Sequence, residues 1–89
     1  MKNVFSTLTY TAEAEEINGQ YVAWVVAEYV NKVLPEYNDT QKRLVCKRSE
    51  GGYFLGTDLA MAVLFDEKDH AFSVGNMVIH EHVGKMEFL

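Results

Sequence analysis

Between Thr11 and Pro35 the chain carries two incompatible instructions, and the choice between them decides most of the fold. In the first, Val22, Val25, Val26, Tyr29, Val30 and Val33 recur at the i, i+3, i+4, i+7 spacing of a core-facing helical stripe. Thr11 can cap such a helix, and Glu13, Glu15 and Glu16 suit its positive end. Pro35 ends it, because the residue before a proline avoids the α region. In the second, Asn18-Gly19 is a hairpin turn, and pairing across it sets Leu8 beside Tyr29, Tyr10 beside Ala27, Ala12 beside Val25 and Ala14 beside Ala23. Every one of those pairs is apolar, and the β-branched valines favour strands. The acidic first turn, the proline stop and the continuation through Glu28, Asn31 and Lys32 select the helix, from Ala12 to about Leu34. The hairpin is its rival.

The remaining segments read more simply. Val4 to Thr11 alternates and is rich in threonine and aromatics, as a half-buried strand is. Lys42 to Arg48 is a second strand, turned by Glu50-Gly51-Gly52 into Tyr53 to Leu55. Leu59 to Phe65 reads as a strand closed by Asp66-Glu67-Lys68-Asp69 onto Ala71 to Val74, with a short helix capped by Thr57 as the alternative. Met77 to Val83 alternates, and a short terminal segment follows from Met86 to Leu89. The sum is an α+β fold in which one helix packs on an antiparallel sheet of four to five strands, in the order β-α-β-β-β-β. One domain spans residues 1–89.

Composition narrows the function classes. With 48% apolar and 24% charged residues, the chain has the make-up of a folded protein rather than a disordered one. Its formal charge of −5 disfavours wholesale binding to nucleic acid or to an anionic membrane. Cys46 is the sole cysteine, so no intramolecular disulfide can form and secretion is not implied. The run Tyr21 to Ala27 is too short to span a bilayer, and no secretory leader is legible. The expected compartment is the cytoplasm.

Each candidate site has a plainer explanation beside it. In the helix reading Trp24 points away from the valine stripe, among Gln20, Ala23, Ala27, Glu28 and Asn31. A large aromatic flanked by alanines is what a partner-binding anchor looks like, and burial under another layer of the same domain is the plain reading. Lys42, Arg43, Lys47 and Arg48, followed by Tyr53 and Phe54, resemble the basic and aromatic surface of a nucleic-acid-binding module. Solvated charges on an edge strand explain them as well. On a strand, His80 and His82 would share a face and form half of a metal site, with His70 or Glu81 as further ligands. Two unrelated surface histidines are the plainer account, and Glu81 would face the other way. Gly51, Gly52 and Gly56 lack the spacing of a phosphate loop. Cys46 sits in an apolar strand as a buried, inert thiol would.

No catalytic signature is legible, so no enzymatic activity, cofactor or metal is expected. The expected function is a small non-catalytic intracellular protein that binds another macromolecule, a regulator or phage-type inhibitor of a host defence complex acting by surface occlusion. The phage association comes from size and composition alone. Expected partners are another protein or a protein–nucleic acid complex with a basic surface, or a second copy packed helix against helix.

Overall fold

The computed structural model describes residues 5–82. Among them the hairpin wins: β1 (Ser6–Ile17) and β2 (Gln20–Asn31) are twelve-residue antiparallel strands, not a helix. The register matches the rival pairing at all four positions, from Leu8 against Tyr29 to Ala14 against Ala23. At the turn Asn18 has φ 52° and Gly19 φ 85°, the paired positive dihedrals of a type I′ turn, which Gly adopts freely and Asn tolerates. The helical stripe misled because β2 buries its helix side and, on the other side, Val22 and Val26 as well. Val22, Ala23, Val25, Val26 and Ala27 are all buried, so the apolar run has no strand alternation.

Asn31 ends β2 as a loop organiser. Its Oδ1 accepts from the backbone N–H groups of Val33 (3.0 Å) and Leu34 (2.8 Å), and its own N–H donates to Asn38 Oδ1 (2.6 Å). A 3-10 turn at Pro35–Tyr37 then returns the chain into β3 (Asp39–Lys47). Gly51 (φ 101°) and Gly52 (φ 80°) make the turn into β4 (Tyr53–Gly56). The four strands form one antiparallel meander, β1-β2-β3-β4.

The chain's last described third corrects the sequence reading again. Leu59 to Phe65 is not a strand of a hairpin. Asp58 Oδ1 accepts from the N–H of Ala60 (3.0 Å) and starts a 3-10 turn at Leu59–Met61. The following residues lie in a gap of the sheet. β2 and β3 pair only as far as Trp24 and Leu44, and beyond that point they separate. Into the opening comes Ala62 to Phe65: Phe65 exchanges two hydrogen bonds with Tyr21 (both 2.8 Å), and the N–H of Val63 donates to the Val45 carbonyl (3.0 Å).

The helix lies where two short strands were expected. α1 (Lys68–His82) replaces both Ala71 to Val74 and the described part of Met77 to Val83. The element order is therefore β-β-β-β-α rather than β-α-β-β-β-β, with four strands, the lower of the expected four to five, among the described residues. Val83 and the segment Met86 to Leu89 lie outside the described residues. Ala71, Val74, Gly75 and Val78 form the buried stripe of α1, at the i, i+3, i+4, i+7 spacing. Gly75 costs the helix about 1 kcal/mol relative to alanine. It lets the helix approach closely, since a Cβ there would lie 3.0 Å from the Ala12 Cβ, tighter than an ordinary contact. The helix thus rests directly on the hairpin, over a core of Ala23, Val25, Val45, Phe65, Ala71, Val74 and Val78. No helix among the described residues is long and apolar enough to cross a membrane.

Candidate functional site

Alternation along the strands assigns each candidate residue to a face. On β2, Tyr21, Ala23, Val25 and Ala27 point to α1, and Gln20, Val22, Trp24, Val26 and Glu28 point to the other side. That second face is covered only at one end. There Val22, Leu44 and Cys46 form a small buried cluster, with Ile17, Trp24, Phe54 and Ala62 packed around it. The rest of the face is open and carries the exposed residues Thr7, Thr9, Thr11, Glu13, Glu15, Glu28, Thr40 and Lys42.

Trp24 stands at the boundary between the covered end and the open part, half-buried. Its direct cross-strand neighbours are Glu13 and Leu44. The diagonal neighbours hold its ring. The indole Nε1–H donates to Glu15 Oε1 (2.9 Å), and Lys42 Nζ lies 4.7 Å from the ring centroid. The same ammonium is 3.5 Å from Glu13 Oε1, with both side chains about half exposed. At such exposure a cation–π contact contributes about 0.5–1 kcal/mol and an ion pair no more than about 1. The network therefore fixes the orientation of the indole more than it stabilises the fold.

Of the five residues grouped around Trp24 from the sequence, two share its face, Gln20 and Glu28. Gln20 reaches Asp66 Oδ1 through Nε2 (3.4 Å), while Glu28 is exposed. Ala23 lies beneath α1 at 0% exposure and Ala27, on the same side of the strand, is 5% exposed, so no partner can reach either. Asn31 is used by its own loop. The neighbours that do hold Trp24 are Glu13, Glu15 and Lys42. The sequence signal for them was the hairpin register itself, once Asn18-Gly19 is taken as the turn. A copy packed helix against helix through residues 12–34 has no helix there to use.

The basic cluster is divided. Lys42 lies on the open face beside Trp24, whereas alternation puts Arg43 on the helix side, half-buried, its Nη1 donating to the Lys42 carbonyl (2.9 Å). Lys47 and Arg48 lie farther along, at the β3–β4 turn. The histidine pair loses its geometric premise, because positions two apart on a helix lie about 200° apart around its axis. His80 and Glu81 are exposed, and His70 packs its ring edge-on to Phe65, with centroids 4.9 Å apart. Among the described residues no group of three or more His, Cys, Asp or Glu side chains is arranged to hold a metal ion. Cys46 is fully buried, and its Sγ–H lies 3.6 Å from the Leu44 carbonyl. Burial pushes this thiol above its ordinary value, nearby Asp58 adds to that, and a backbone hydrogen bond from Gly56 opposes both.

The described residues thus define a two-layer α+β protein with one closed sheet face and one that is largely open, bearing an oriented tryptophan. No protein-family model matches the chain, and comparison with curated proteins and with solved structures finds no match.

Proposed function

We propose that this chain is a small binding protein without catalysis of its own, which acts by occupying a surface of another macromolecule. The observation that carries this reading is Trp24: a half-buried indole on the sheet face opposite the helix, its orientation fixed by Glu15 and Lys42. Large aromatics held in one orientation lose little entropy on binding and dominate interface energetics. Glu13, Glu15 and Glu28 outnumber Lys42 on this face, which favours a partner with a basic surface. Occlusion of that surface, as a regulator or a phage-type inhibitor of a defence complex would do, is the mode of action that needs no chemical site.

The test is comparative capture. Wild-type protein and Trp24→Ala are used as bait in cell extract, and the retained proteins are identified and then titrated in purified form. A partner bound by the wild type should be held about 30-fold or more weakly by Trp24→Ala, the loss expected of an interface hot spot. Circular dichroism must show the variant folded. A folded variant that keeps full affinity for every partner overturns the role of Trp24.

A further inference from the structure

The β3–β4 turn and the 3-10 turn after β4 enclose an open groove of about 690 Å³, lined by Lys47, Arg48, Ser49, Glu50, Phe54 and Met61. That volume lies in the range of about 300–1,000 Å³ typical of small-molecule sites. We propose that this groove binds a nucleotide, with the phosphate at Lys47 and Arg48 and the base against Phe54 and Met61. The proposal stands apart from the role of Trp24.

Three observations lead to it. The charge balance of the groove is reversed relative to the chain, which carries −5 overall. The groove lining carries two cationic residues, Lys47 and Arg48, and a single carboxylate, Glu50, which already accepts from Ser49 Oγ (3.1 Å). Arg48 is also positioned. Its Nε–H donates to the Tyr53 carbonyl (3.4 Å), and its guanidinium lies over the Phe54 ring, 5.6 Å from the centroid. The ring and the carbonyl hold the inner part of the fork, so the terminal N–H groups are the donors placed for an anion. Beside this cation Met61 is 51% exposed, and Phe54, half-buried under the guanidinium, also lines the groove.

A ligand that suits the groove must bring an anion and a flat apolar surface on one rigid unit. A nucleotide does, and bases stack on aromatic rings and on guanidinium planes alike. A glutamate or aspartate side chain satisfies the cations but leaves Phe54 and Met61 uncovered.

Calorimetric titration of the full chain at low salt tests the assignment, with adenosine monophosphate, a single-stranded oligonucleotide and a glutamate-rich peptide as probes. Saturable binding of the mononucleotide is expected. The double variant Lys47→Ala/Arg48→Ala should weaken it at least about tenfold, a loss of 1.4 kcal/mol or more. Met61→Ala should weaken it by a smaller factor. Trp24→Phe should leave it unchanged, which separates this site from the proposed protein-binding face. An oligonucleotide bound much more tightly than the mononucleotide identifies single-stranded nucleic acid as the source of the ligand, and equal affinity identifies free nucleotide. Lys47 and Arg48 are exposed, so the double variant should keep the wild-type circular dichroism spectrum. The proposal is overturned if neither nucleotide probe binds, if binding survives the double substitution, if Trp24→Phe abolishes it, or if only the peptide binds.

Discussion

The two faces of the β1–β2 hairpin are built from the same strands and held by different physics. On the helix side Gly75 sits on Ala12 so closely that even a methyl group would crowd it, and the surrounding valines and alanines exclude water. Shape decides everything there. On the other side Trp24 is held by one hydrogen bond, one cation over its ring and one ion pair, all reached by solvent. Those contacts can be exchanged for a partner's at little cost, whereas the packed side can exchange nothing. Closed and open faces of one hairpin thus divide the work of folding from the work of binding.

That contrast yields an ordered set of expectations. The largest effect belongs to the closed face: Gly75→Val should lose about 3 kcal/mol by overpacking, which lowers the melting temperature by at least about 10 °C. If the variant melts like the wild type, the helix does not rest on Ala12 as described. Replacing Gly19 by valine comes next. A side chain at φ 85° should cost about 1–2 kcal/mol, measurable by urea denaturation with an unchanged slope. On the open face Trp24→Ala removes a whole indole, where the two glycine substitutions add a side chain. It should nevertheless cost less than Gly75→Val, because part of the residue already meets water. Equal or greater loss would show the open face to be a second core.

Smaller still is Lys42→Ala, expected within about 1 kcal/mol of wild type by thermal melting, with a difference that shrinks as salt is added. The last expectation concerns Cys46, beneath the covered end. Burial favours its neutral thiol, so the folded protein holds the proton to higher pH than the unfolded chain does. The resulting stability is complete below the ordinary thiol value of 9.0 and fades as pH rises through the higher folded value. Wild-type protein should therefore lose stability above that pH more steeply than Cys46→Ala, as followed by denaturant midpoints.

Much of the hairpin was legible in the sequence, since Asn18-Gly19 and four apolar cross-strand pairs specify both turn and register. It was hidden by the burial of Val22 and Val26 in addition to the helix-side residues of β2. Val22, Val25, Val26 and Tyr29 then satisfy helical spacing because almost every position nearby is apolar. The opposite error occurred in α1. Its contact stripe is made of Ala71, Val74, Gly75 and Val78, in which only the two valines carry a strong hydrophobic signal, and the glycine reads as a break. Asp66, Glu67 and Asp69 resembled a hairpin loop, although acidic residues also favour a helix start. Trp24 was singled out as a large aromatic flanked by Ala23 and Ala27 on the outward side of a helix that does not form, and its true neighbours Glu13, Glu15 and Lys42 became visible only with the correct register. The groove at Lys47 and Arg48 depends on Met61 arriving from a distant turn, which no local spacing encodes.

The strip from Ala62 to Phe65 that fills the gap between β2 and β3 has a consequence for how the chain is made. As the polypeptide emerges during synthesis, the hairpin can close on itself early, but the outward backbone groups of Tyr21 have no strand to meet. Their partner, Phe65, arrives only after the whole meander has been produced. The amides of Tyr21 and Phe65 should therefore gain protection from solvent hydrogen exchange together and late. Their protection marks the moment when the nascent sheet becomes a locked one.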